Sequence, residues 1–107
     1  MIECYIGQEK DKYQLRCSGH ADYAERGKDI VCAAVSALTQ SFVIWAQEAE
    51  MDGKVTIETL YLDDGVLEII LQGKACAEPM RMMYLGLLEI KENYFSNFSV
   101  KWGEIER

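Results

Sequence analysis

The chain has 107 residues, half of them apolar, with 11 Lys plus Arg against 18 Asp plus Glu and a net charge of −7. That length and apolar content suit one compact domain, 1–107, with neither a linker composition nor an internal repeat to suggest a second. An acidic surface repels nucleic-acid backbone and argues against direct DNA or RNA binding. It either attracts a basic protein segment or serves solubility alone.

Met1 leads straight into an alternating segment without a basic and apolar leader, so a cytoplasmic location is expected. Ile2–Ile6 reads as a short strand and Tyr13–Cys17 as its partner. Gly7 and the charged run to Lys12 form the turn of a hairpin. The polar stretch Gly19–Asp29 reads as a loop. A long helix starts near Ile30, with Val31, Val35, Leu38, Phe42, Trp45 and Ala49 on one face and Ala34, Ala37 and Ile44 widening it. The uncharged run Ile30–Gln47 has the length of a membrane span. Ser36, Thr39, Gln40, Ser41 and Gln47 make it too polar for a solitary one, so a buried helix is expected. An apolar surface this wide is buried on more than one side, against the sheet and against either a second helix or a partner subunit.

Val55–Leu62 and Val66–Leu71 form a second hairpin around the Asp63-Asp64-Gly65 turn. Glu78-Pro79 opens a second helix, with Pro in the first turn where its missing N–H is not needed. Met80, Met83, Tyr84, Leu87, Leu88, Lys91 and Tyr94 trace one face of it. Val100–Glu104 is a possible last strand. The order β-β-α-β-β-α(-β) predicts an α+β fold, a two-layer sandwich of two helices on a mostly antiparallel sheet. Strand order is not readable from the sequence.

Of the four cysteines, Cys4 and Cys17 fall inside strands and read as small core residues. Without an export signal all four thiols are expected to be reduced. With no C-x-x-C pair and a single His, a structural zinc site is not expected.

That His is His20, just after the second strand, where functional side chains commonly sit. Alone it would read as a surface imidazole. With Asp29 as N-cap, however, Cys32 lies in the first turn of the long helix. Free N–H groups and the positive end of the helix dipole favour a thiolate there, and Lys28 acts in the same direction. The plain alternative is a small core residue at a helix start. Eleven residues separate Cys32 from His20, enough for the chain to return to the strand end. His20 can then take the thiol proton and later protonate a leaving amine. Backbone N–H groups at and near Cys32 are expected to form the oxyanion hole.

Asp29 either caps the helix or orients His20. Ser36, one turn beyond Cys32, either bonds near the site or bonds back to the Cys32 carbonyl. The charged loop Ala21–Lys28 between Gly19 and Gly27 is a lid or an ordinary connection, and its Glu25–Lys28 part is expected to be mobile.

Gly19-His20-Ala21, followed by Gly27-Lys28-Asp29-Ile30-Val31-Cys32-Ala33-Ala34-Val35-Ser36-Ala37-Leu38, resembles the signature of the ribosomal-processing cysteine protease family Prp. The resemblance implies a homodimeric endopeptidase without cofactor. It would remove a short N-terminal extension from large-subunit ribosomal protein number twenty-seven, a basic ribosomal-protein precursor. It implies His20 as the base, Cys32 as the nucleophile, and Asp29 and Ser36 as supporting residues. A non-enzymatic ribosome-assembly or binding module with a structural Cys32 is the alternative. A thiol redox protein pairing Cys32 with Cys17 or Cys4 is a third. A binding module has no need of His20 as a base, and the lack of C-x-x-C argues against the redox protein.

Overall fold

The computed structural model describes residues 1–25 and 27–106. Its elements are β1 (Ile2–Glu9), β2 (Lys12–Ser18), α1 (Ile30–Met51), β3 (Thr56–Asp63), β4 (Val66–Gln72), a 3-10 turn (Lys74–Cys76), α2 (Ala77–Asn93) and β5 (Phe98–Gly103). The five strands form one sheet in the order β3-β4-β2-β1-β5. Among the described residues only the β1–β5 pair is parallel. The α+β class, the two helices and the mostly antiparallel sheet agree with the sequence reading.

Period-2 alternation sets the core face of the sheet. Ile2, Cys4 and Ile6 of β1 and Tyr13, Leu15 and Cys17 of β2 are buried, as are Leu67, Ile69 and Leu71 of β4 and Phe98 and Val100 of β5. They form one hydrophobic cluster with residues of α1 and α2. The expected stripe on α1 is rotated slightly. Val31, Val35, Thr39, Phe42, Val43, Ala46 and Ala49 are the buried residues, while Leu38 and Trp45 are only half-buried. Thr39 is tolerated inside because its hydroxyl donates to the Val35 carbonyl at 2.9 Å. By length and composition α1 could cross a membrane, and one third of its most apolar window is buried within the protein.

Two expectations are corrected. The first hairpin turns at Lys10 and Asp11, not at Gly7, which pairs with Gln14 inside the ladder. Gly7 serves close approach instead: a Cβ there would lie 2.7 Å from the Ile105 Cα. The C-terminal segment crosses the outer face of the sheet at that point. Buried Gln14 ties it down, donating to the Glu106 carbonyl at 3.0 Å and accepting from the Glu106 N–H at 2.9 Å. Second, Cys4 and Cys17 are joined in a disulfide, so the four thiols are not all reduced. The two residues are direct cross-strand partners, with Cα atoms 4.1 Å apart on the core face. Cys32 and Cys76 are free.

Candidate active site

The end of β2, the start of α1 and the β3–β4 turn meet at one end of the sheet. The register makes this so: Ser18 pairs with Val66, which brings Asp64 and Gly65 beside Gly19 and His20. Gly19 donates its N–H to the Gly65 carbonyl at 2.9 Å. Between these elements lies a cavity of about 530 Å³ lined by His20, Asp22, Ala24, Gly27, Asp29, Cys32, Ala33, Ser36 and Asp64. His20, Asp29, Cys32 and Ser36, the candidates read from the sequence, all line it.

Asp29 builds the helix start. Its Oδ1 accepts the N–H groups of Val31 and Cys32, each at 3.0 Å. Its Oδ2 accepts from Tyr23 at 3.0 Å and from Ala24 at 3.4 Å. One carboxylate thus satisfies the helix N-terminus and staples the preceding loop to it. Desolvation acts to raise its pKa, but the N–H groups of Cys32, Tyr23, Ala24 and Val31 outweigh it and hold the carboxyl below its ordinary value. Of its two candidate roles, capping is the one its bonds fulfil.

This capping engages the donors expected at the oxyanion site. The N–H groups of Val31 and Cys32 go to the Asp29 side chain, and that of Ala33 goes to the Asp29 carbonyl. A further backbone donor lies at the thiol: the Ala21 N–H points to Cys32 Sγ at 3.4 Å. Cys32 is half-buried in the first turn of α1 and lines the cavity.

His20 is exposed at the strand end. Its ring lies against the β3–β4 turn: a Cβ on Gly65 would sit 3.0 Å from Nε2 and 3.3 Å from Cε1. Ser36 lines the cavity and also a smaller adjoining hollow of about 130 Å³, walled by Leu62, Asp63, Gly65 and Val66 from the second hairpin.

The first half of the loop between His20 and Cys32 is tied down. Asn97 donates to the Ala21 carbonyl at 2.9 Å, and the Tyr23 ring meets Tyr94 edge-on at 5.3 Å. The chain's N-terminal ammonium lies 3.7 Å from the Asp22 carboxylate. The mobility expected for Glu25–Lys28 includes Arg26, which lies outside the described residues.

Nothing in the sequence assigned Ala21, Asn97, Asp64 or Gly65 a role in the site. The Asp63-Asp64-Gly65 run was legible as a turn, but nothing in it pointed to His20.

A free thiol in the first turn of a helix, sharing an open cavity with an imidazole, is the arrangement on which cysteine hydrolases are built. The chain belongs to the cysteine protease Prp family, whose model matches residues 1–99. A ribosomal processing cysteine protease Prp of Mycoplasma genitalium is 45% identical over 38 residues, 36% of this chain and 38% of that protein's length. The essential ribosomal processing protease Prp from S. aureus, in complex with a covalently linked product peptide, superposes with a TM-score of 0.72. Its sequence identity is 26%, over 95% of this chain and 99% of that one. The same S. aureus protein in complex with a substrate peptide gives a TM-score of 0.68 at 25% identity, covering 95% of this chain and 99% of that one.

Proposed function

We propose that this chain is a cysteine endopeptidase in which Cys32 is the nucleophile and His20 the acid–base group. His20 takes the thiol proton, and the sulfur attacks the carbonyl carbon of the scissile peptide bond. The carbon–nitrogen bond breaks as His20 returns the proton to the leaving amine. Water, deprotonated by His20, then attacks the thioester and restores the thiol. The Ala21 N–H, already directed at the sulfur, is a backbone donor beside it for the developing oxyanion. The observation that carries the reading is the meeting of a free, half-buried Cys32 and His20 on one open cavity. A product peptide covalently linked in the S. aureus protein supports chemistry through a covalent adduct.

The proposed substrate is a basic ribosomal-protein precursor that loses an N-terminal extension, as the family resemblance implies. The net charge of −7 supports it, as do Asp22 and Asp64 on the cavity wall. The naming of the relatives as ribosomal processing proteases supports it too. The reaction is proposed to occur in the cytoplasm, without direct nucleic-acid or membrane contact and without a cofactor. The chain is proposed to act as a homodimer. In support, an apolar groove of about 580 Å³ runs between α1 and α2, lined by Leu38, Phe42, Trp45, Pro79, Met82 and Leu85 among others.

The test is mass spectrometry of purified precursor after incubation with the wild type, Cys32→Ala, His20→Ala and Cys17→Ala. Cys32→Ala is expected to abolish cleavage with the fold intact. His20→Ala is expected to lose on the order of a hundredfold or more in rate, and Cys17→Ala to remain active. Full cleavage by Cys32→Ala would falsify the reading and favour a binding module.

A further inference from the structure

The part of the site contributed by the second hairpin has no role in the chemistry above, yet it touches the imidazole. Two contacts connect it. The Gly19 N–H bonds to the Gly65 carbonyl at 2.9 Å, which fixes the backbone immediately before His20. The bare Cα of Gly65 faces the ring so closely that an added Cβ would stand 3.0 Å from Nε2 and 3.3 Å from Cε1, inside ordinary contact distance. Asp29, the other candidate for orienting the ring, spends its acceptor capacity on four backbone N–H groups.

We infer that Gly65 is a positioning residue, the seat against which His20 is held at the cavity of Cys32. The inference rests on the reading of His20 as the acid–base partner of Cys32. Gly is required at this position for two separable reasons. Its φ of +74° is left-handed, a conformation that favours Gly and tolerates Asn. Its missing side chain leaves room for the ring. A methyl group here pushes the imidazole off the turn and covers Nε2, which disturbs proton transfer to and from the thiol.

The two reasons are separated by three variants. Gly65→Ala introduces both backbone strain and the contact with the ring. Gly65→Asn relieves the strain and keeps the contact. Gly53→Ala, beyond the C-terminus of α1, is the control. Gly53 has nearly the same φ, +75°, and nothing within 4 Å of an added Cβ, so it takes the strain without any contact. Two readouts are used. One is kcat and KM on the ribosomal-protein precursor. The other is the Cε1–H resonance of the ring in NMR, unambiguous because the chain has 1 His.

Both Gly65 variants are expected to lower kcat about tenfold, because the ring must give by only a few tenths of an ångström, less than the ångström that costs a hundredfold. KM should change little, and the His20 resonance should move. Gly53→Ala should match the wild type in both. A Gly65→Asn protein with wild-type kcat and an unmoved resonance overturns the inference while leaving the protease reading intact. If the wild type does not cut the precursor but the resonance moves in both Gly65 variants, the seat stands and the protease reading fails.

Discussion

The Asp29 carboxylate and the Cys32 amide are joined by a 3.0 Å hydrogen bond, so the residue that caps α1 also holds the backbone of the candidate nucleophile. Its second oxygen reaches the loop on the His20 side, at Tyr23 and Ala24. Helix start, thiol and loop are therefore one unit, and changes at Asp29 separate its parts.

Asp29→Asn is expected to keep the cap, since Asn serves as well as Asp at N-cap. It should release the loop, because an NH2 group then faces the N–H groups of Tyr23 and Ala24. Amide exchange at those two residues should quicken while the stability of α1 is nearly kept. Asp29→Ala should lose both functions and about 1 kcal/mol of stability or more in urea denaturation. Unchanged exchange at Tyr23 and Ala24 in Asp29→Asn would contradict the stapling role.

Stability should also respond to acid through this group. The folded-state pKa of Asp29 lies below its ordinary value, so its contribution is fully present above the unfolded-state value of about 3.9. It is lost as pH falls through the folded-state value, where the folded protein must also take up the proton. Urea midpoints followed downward from pH 5 should fall less steeply in Asp29→Asn than in the wild type. Parallel curves would rule this contribution out.

Alkylation should separate the cysteines. Cys32 faces the cavity and should be the first to react with iodoacetamide. Cys76 is fully buried, and burial together with the charge of Asp11 pushes its thiol up to about 11. Cys4 and Cys17 should label only after reduction of their disulfide. Peptide mapping by mass spectrometry reads all four sites. Labelling of Cys76 as fast as Cys32 would argue against an accessible nucleophile.

The helix face makes a prediction about assembly. Met82 is 75% exposed and Leu85 50%, and both line the apolar groove between α1 and α2. Sedimentation at micromolar concentration should give a dimer, and Met82→Glu together with Leu85→Glu should give a folded monomer. A monomeric wild type would remove the homodimer from the proposal.

Much of the molecule is legible without coordinates, because it depends on local chemistry. Alternation along Ile2–Ile6 and Tyr13–Cys17, the helical period from Val31, the turn residues at Asp63–Gly65 and Pro79 at a helix start each act over a few residues. The Asp29 cap and the place of Cys32 in the first helical turn belong to the same class. So does the signature from Gly19 to Leu38, which brought out His20 and Cys32 together. The remainder depends on which strands become neighbours. Pairing of β2 with β4 is a long-range choice driven by burial of the whole sheet face. Only that choice puts Gly65 against His20 and the second hairpin in the wall of the site. The face-to-face pairing of Cys4 with Cys17 depends likewise on strand register, set by a tight turn at Lys10 and Asp11. Gly7 looked like a turn residue because its real constraint, the crossing of Ile105, comes from the far end of the chain.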